Sequence, residues 1–306
     1  MNKSILITGA NGGIGKDTAR QLALIEGTEK IYLACRNEAK AKVAMKSLEE
    51  TTGRKIFEIV LMDVSNPESV KMAVSSLTEP IDALIMNAGG MGGKSPDKLL
   101  KEGTTQLFAV NVLGHAVLLD ELLKTNKLTN VALYAGSEAA RGMKKMGMKQ
   151  PNLKTSDVDE FVAIIDGTYF NGKMDVMEAY SLVKYTAALW MSSQARKNPN
   201  IRFITMSPGG TKGTAVMDDM PGFQRFLFKN IMMPIVMPLL GMAHNLDVGA
   251  KRFVDGISND SLKSGVFYGS KEKVLTGPIV EQNEIFSDLN NTSFQDNADQ
   301  AIHKFL

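Results

Sequence analysis

The sequence predicts an α/β fold, a doubly wound parallel sheet with helices on both faces, and three observations carry that prediction. Short, nearly continuous apolar runs recur through the first two-thirds of the chain; longer amphipathic runs separate them; and a glycine cluster stands at the first junction between the two kinds. Strands covered on both faces lose the polar–apolar alternation of a one-sided sheet. Regular exchange of strand and helix is what right-handed crossovers between parallel strands produce.

Taken in order, Ser4–Thr8 (SILIT) reads as the first strand and Ile14–Leu24 as the helix after it. Ile31–Cys35 (IYLAC) is followed by the helical pattern Glu38–Thr51, Ile56–Asp63 by Pro67–Leu77, and Ile81–Met86 by Thr104–Lys124. The fifth strand is Val131–Ala135. The rhythm then breaks over Arg141–Val176, rich in Met, Lys, Gly and Asp. A long helix near Met177–Ala195 leads into a strand at Arg202–Met206, and a short strand is expected at Val266–Tyr268. Between them, Thr211–Asn245 holds the most lipophilic segment, Ile231–Leu240. The tail from Leu275 gives no clear pattern. Without repeats or low-complexity linkers, residues 1–306 read as a single domain with an insertion at about 141–176 and a substrate lid at about 211–245.

Composition narrows the function classes. A chain of 306 residues, 44% hydrophobic, can bury a full core. Its 35 basic and 33 acidic side chains leave a net charge of +2, which gives no reason to expect a nucleic acid as partner. One cysteine, Cys35, and three scattered histidines, His115, His244 and His303, supply neither a disulfide framework nor a metal-ligand pattern, so no metal is expected. The amino terminus enters an apolar strand without the longer stretch and cleavage site of a secretory leader. Ile231–Leu240 is too short to span a bilayer and carries two prolines. A cytoplasmic location is the expectation.

The glycine cluster runs Thr8-Gly9-Ala10-Asn11-Gly12-Gly13-Ile14-Gly15, after a strand and into a helix. Gly9, Gly13 and Gly15 let the backbone turn tightly and approach a pyrophosphate, with Asn11 and Ile14 beside it and the positive end of the helix behind it. The second strand ends Ala34-Cys35-Arg36-Asn37, with an arginine where an enzyme using the unphosphorylated nucleotide carries a carboxylate. A guanidinium pairs with a ribose 2′-phosphate, which a carboxylate would repel, so NADP(H) is favoured over NAD(H). Asp63 and Val64, and then Asn87, Ala88 and Gly89, fall at carboxyl ends of parallel strands, the ligand edge of such sheets. Asp63 suits a hydrogen bond from an adenine amino group and equally a helix cap before Ser65-Asn66-Pro67.

Tyr180 and Lys184 stand four apart in a helical pattern and share a face. Ser137 lies just past a strand end, Asn111 lies within the preceding helix, and Ser207-Pro208-Gly209 follows the sixth strand. Together with the glycine turn and Asn-Ala-Gly, these residues resemble, in order and over most of Met1–Gly210, the short-chain dehydrogenase/reductase family, whose sheet is of the Rossmann type. The strand end Ala-Cys-Arg and the helix Asn-x-x-Gly-His are similar to its retinol dehydrogenase and protochlorophyllide reductase branch. The resemblance implies that Asn111, Ser137, Tyr180 and Lys184 are catalytic. It also implies that Tyr180, Lys184, Pro208, Gly209 and Thr211 contact the cofactor, with Thr214 in reserve for Thr211. Asn111 would hold Lys184 through a water. His115 is read as a helix-packing residue.

The chemistry follows from acidity. A phenol ionises near pH ~10, and a neighbouring ammonium favours its phenolate, so Lys184 is expected to bring Tyr180 toward the working range. Tyr180 then exchanges a proton with the oxygen of a carbonyl or alcohol while Ser137 hydrogen-bonds that oxygen. The Met- and Leu-rich stretch Phe223–Leu240 suits a lipophilic substrate. Arg225 and Lys229 beside it would allow weak contact with a membrane surface. Within the family, an insertion such as 141–176 covers the face that relatives use to dimerise, which implies a monomer or weak homo-oligomer. Two alternatives stand: a protochlorophyllide-like double-bond reductase, and a non-catalytic NADP-binding sensor.

Overall fold

The computed structural model describes residues 2–143, 148–212, 237 and 240–306. Its strands are β1 (Ser4–Thr8), β2 (Lys30–Cys35), β3 (Phe57–Leu61), β4 (Ile81–Met86), β5 (Leu128–Ala135), β6 (Arg202–Met206), β7 (Val266–Ser270) and β8 (Ile279–Glu281). They form one sheet in the order β3-β2-β1-β4-β5-β6-β7-β8. Every pairing is parallel except β7 with β8. The order reverses at β1, which has β2 on one side and β4 on the other. A crevice therefore opens at the carboxyl ends of these central strands.

Alternate residues of β1 serve two cores. Ile5 and Ile7 join a cluster with residues of α1 (Gly13–Ala23), α2 (Glu38–Thr52) and a helix at Leu246–Ser258. Leu6 joins a larger cluster on the opposite face, with α3 (Pro67–Ser76), α4 (Gln106–Lys124), α5 (Val158–Asp166), α6 (Val176–Lys197) and a helix at Thr292–His303. The two last-named helices are α7 (Leu246–Ser258) and α8 (Thr292–His303). Burial of both sheet faces explains why the strands read as unbroken apolar runs. Among the described residues α4 is the helix long and apolar enough to cross a membrane, and it lies in the core.

Local chemistry sets the helix starts. Asn37 accepts from Lys40 N–H at 2.9 Å and begins α2, which Gly53 ends in the left-handed conformation. Asn66 caps α3, with Pro67 in its first turn. Asp157 caps α5 and Asp175 caps α6. Asp63 is not the cap of α3: its carboxylate accepts from Ser65 N–H at 2.9 Å and from the Ser65 hydroxyl at 2.7 Å, and the cap falls to Asn66.

Several boundaries depart from the sequence reading. β5 starts three residues early, at Leu128, and β3 is shorter than Ile56–Asp63. The insertion holds the capped helix α5, and the tail supplies β8 and α8. α7 is absent from the sequence reading although Ala250, Phe253, Val254 and Ile257 recur at helical spacing; its Gly249 and Gly256 ordinarily count as breakers. The structure gives them a packing reason. A Cβ at Gly249 would lie 2.5 Å from Thr211 Oγ1, and one at Gly256 would run into the Leu133 side chain on β5. Within α4, residues Ala109–Leu113 form a π-helical turn that the sequence reading took as regular helix.

Candidate active site

The turn after β1 is packed on its inner side and open on its outer side. Gly9 has a φ of +67°, a conformation in which a Cβ is costly. Its N–H donates to Ala34 O at 2.9 Å, tying the turn to β2. Burial pushes the Cys35 thiol up to about 11, against the opposing pull of the Ala10 and Asn11 N–H groups. A Cβ at Gly15 would stand 2.6 Å from Asn87 Nδ2, whereas one at Gly12 or Gly13 would meet nothing within 4 Å. Ile14 packs on the core below. α1 begins at Gly12 with no side-chain cap and no acid in its first turn. A helix start of this kind leaves N–H groups free to receive an anion, and the open glycine side gives a dinucleotide pyrophosphate room to approach.

Arg36 is exposed at the carboxyl end of β2. Asp63 and Val64 follow β3 at the same edge. The Val64 carbonyl lies so close to α4 that any Cβ at Gly114 would collide with it. Asn87 closes the crevice from the β4 side: its amide donates to Thr8 O at 2.9 Å, and its own N–H and that of Ala88 both donate to Thr8 Oγ1 at 2.9 Å. Gly89 follows, and a Cβ there would press on Asn111 Oδ1 at 2.6 Å and come within 3.9 Å of Lys184 Nζ.

Around this crevice the structure brings together the four residues expected to do chemistry. Asn111 sits in the π-helical turn, where its amide donates to Gly90 O and Leu107 O at 2.8 Å each and accepts from Gly90 N–H at 3.3 Å. Ser137 starts a short 3-10 turn just beyond β5, near enough to Tyr180 for its hydroxyl to favour the ionised phenol. One turn along α6, Lys184 Nζ lies 5.7 Å from the centre of the Tyr180 ring. That ammonium donates to Ala135 O at 2.9 Å and to the Tyr134 hydroxyl at 3.2 Å.

Two features of this group bear on its chemistry. Burial, the largest influence, pushes the Tyr180 phenol up to about 12, against the pull of the Ser137 hydrogen bond and with the Glu138 charge adding to the rise. Burial also pulls Lys184 down to about 7. Desolvation is thus the largest influence on both groups. A protein hydroxyl links Asn111 to Lys184, since Tyr134 donates to Asn111 O at 3.1 Å while accepting from Lys184.

Further residues support the site without a signal in the sequence. His115 is fully buried as expected of a packing residue, and it also bridges Asn111 O at 2.9 Å and Thr8 Oγ1 at 3.0 Å. Burial drives its imidazole down to about 4. A carbonyl only accepts, so Nδ1 carries the proton and Nε2 accepts from the Thr8 hydroxyl. Glu138, next to Ser137, is buried: it accepts from the Ser207 hydroxyl and from Ser270 N–H at 2.8 Å, and Arg252 lies 3.7 Å away. Arg252 in turn donates to Ser207 O at 3.2 Å. The Pro208-Gly209 turn is thereby fastened to the segment that carries Ser137.

Thr211 is buried in the loop after β6, with its hydroxyl bonded to Pro208 O at 3.2 Å and Gly209 O at 3.3 Å, facing His244 Nε2 at 3.3 Å and packed toward Gly249 of α7. Thr214, Arg225, Lys229 and most of the expected lid lie outside the described residues.

Comparison with known proteins gives concordant results. A family model described as short chain dehydrogenase matches residues 3–133. Dehydrogenase/reductase SDR family member 12 of Bos taurus is 30% identical over 223 residues, covering 72% of this chain and 64% of that protein. Retinol dehydrogenase 11 of Homo sapiens is 36% identical over 128 residues, covering 41% of this chain and 39% of that one. The chain thus spans less than two-thirds of the length of these relatives. Among solved structures, an NADPH-bound carbonyl reductase from chicken fatty liver superposes with a TM-score of 0.59 at 18% identity, over 90% of this chain and 99% of that one. At that identity the likeness is one of fold.

Proposed function

Because the chain belongs to the short-chain dehydrogenase/reductase family, we propose that it is an NADP(H)-dependent oxidoreductase that interconverts a carbonyl and an alcohol on a lipophilic small molecule. The observation that carries this reading is convergence: Asn111, Ser137, Tyr180 and Lys184, distant in sequence, meet beside Gly89 at the open edge of the glycine crevice.

A bound nicotinamide supplies or accepts the hydride. The chain's own residues manage the proton. With its phenol pushed up to about 12, Tyr180 stays protonated through the neutral range, the state required of a donor to a carbonyl oxygen. Ser137 offers a second hydroxyl at the same place, where negative charge develops. Lys184 commits two of its three N–H groups to Ala135 O and Tyr134 Oη, leaving one for a bound ligand. Arg36 favours the phosphorylated nucleotide. A relative named for retinol and the Met-rich stretch at 223–240 support a lipophilic substrate. Packing of α5 and α8 around the catalytic helix supports a monomer or weak oligomer, and a cytoplasmic location belongs to the same reading.

The test is a screen of long-chain aldehydes, ketones and alcohols that follows NADPH absorbance, run in parallel with NADH. Turnover with NADPH in preference to NADH is expected. Tight NADPH binding without turnover of any carbonyl or alcohol would contradict the reading and favour a sensor.

A further inference from the structure

We propose that Tyr134 is a positioning residue for the reaction: its hydroxyl fixes the ammonium of Lys184 and couples it, through Asn111 and His115, to the turn that carries the cofactor crevice. The proposal rests on the functional reading above for its consequence in turnover, but not for its geometry.

The geometry is a chain of hydrogen bonds whose directions are all determined. Lys184 Nζ donates to Tyr134 Oη at 3.2 Å. The same Oη donates to Asn111 O at 3.1 Å, and that carbonyl also accepts from His115 Nδ1 at 2.9 Å. His115 Nε2 accepts from Thr8 Oγ1 at 3.0 Å, and Thr8 Oγ1 accepts in turn from the N–H groups of Asn87 and Ala88. A phenol has one proton to give and lone pairs to receive, so Tyr134 can accept from an ammonium while donating to a carbonyl. The π-helical turn at Ala109–Leu113 displaces the Asn111 carbonyl from the regular helical ladder, which explains how it receives two side-chain donors.

The ring is fixed as firmly as the hydroxyl. Tyr134 is fully buried and meets His115 edge-on at 6.0 Å and Trp190 at 6.3 Å between ring centres. Lys184 Nζ lies 4.8 Å from the centre of the Tyr134 ring, so the face as well as the hydroxyl attracts the charge. The titratable groups facing the ammonium are Tyr134 from β5, Tyr180 from its own helix, and His115 from α4; Glu138 acts on Tyr180 from the turn beyond β5. His115 is neutral and Tyr134 un-ionised, so neither opposes the ammonium with a full charge. Ala135 O and Tyr134 Oη are then the acceptors that keep a buried ammonium in place.

Tyr134→Phe keeps the ring and deletes the acceptor. In the nucleotide-free protein, carbon-labelled lysine NMR, with Lys184→Met to identify the signal, should show Lys184 titrating below the other lysines. Loss of a hydrogen bond to a charged group should lower that midpoint by about one pH unit in Tyr134→Phe. With decanal as the probe, kcat/KM for NADPH-dependent reduction should fall about tenfold while NADPH affinity, read by nucleotide fluorescence, changes less than about twofold. An unmoved Lys184 midpoint would overturn the proposal, even if activity fell, because a merely structural tyrosine would produce that pattern. If Tyr134→Phe does not fold, the wild-type spectra decide: a nuclear Overhauser contact between the Lys184 ε-methylene and the Tyr134 ring is required, and its absence overturns the proposal. A wild-type protein inert toward every carbonyl would count against the functional reading and leave the titration to judge Tyr134.

Discussion

Arg36 is exposed at the end of β2, and no carboxylate lies within ion-pair distance of it among the described residues. If it meets a 2′-phosphate, Arg36→Ala should raise KM for NADPH by about tenfold to a hundredfold, the range for losing charged hydrogen bonds, and leave KM for NADH nearly unchanged. Equal losses with both nucleotides would remove Arg36 from cofactor selection. Tyr180 sets the pH behaviour. A phenol raised to about 12 is a poor base at neutrality, so alcohol oxidation should rise with pH through the neutral and alkaline range while carbonyl reduction stays level near neutrality. Steady-state rates in both directions across pH would check this, and an oxidation rate that falls with pH would contradict it. The residues legible in the sequence are those whose signal is local: the four-residue spacing of Tyr180 and Lys184, and Ser137 at a strand end. Tyr134 and Glu138 were illegible because their roles depend on partners 50, 69 and 132 positions away.

Helices that resist sequence reading carry testable consequences at their own scale. α7 lies close to β5 because Gly256 has no Cβ to strike Leu133. Gly256→Ala should therefore destabilise the protein by about 1–3 kcal/mol despite the better helix propensity of alanine, measured by urea denaturation. A stabilised variant would show that the contact is soft. α8 is held to its neighbours by polar contacts. Its Asp299 accepts from Gln194 of α6 at 2.6 Å, and its His303 bonds Asp120 of α4 at 3.1 Å. The Asp120 hydrogen bond, aided by Asp299, raises His303 from 6.5 to about 9. A folded-state value above the unfolded one means that protonation favours the fold. The contribution is whole below 6.5 and is lost as pH rises through about 9. His303→Gln should flatten that decline in a denaturation series between these pH values; an unchanged slope would assign the decline to other groups.

For the molecule as a whole, the doubly wound class was legible because it follows from the alternation of buried strands and helices. The insertion was expected to cover the catalytic helix; that the tail would join it was not legible. Every residue of α6 from Ser181 to Gln194 is buried, so no face of that stretch is free to pair with a second copy. The material that covers it comes from the insertion and the tail, where Phe161 of α5 packs on Tyr185 and α8 closes the side. Light scattering should find the mass of one chain at micromolar concentration, and a stable dimer paired through α6 would contradict this arrangement. The account as a whole turns on one group of atoms, the Tyr180 phenol held between Ser137 and Lys184 beside the glycine crevice. Its most direct test pairs turnover with nucleotide binding in Tyr180→Phe. The account predicts that carbonyl reduction falls by at least about a thousandfold while NADPH binds with nearly unchanged affinity; a variant that keeps most of its activity would contradict it.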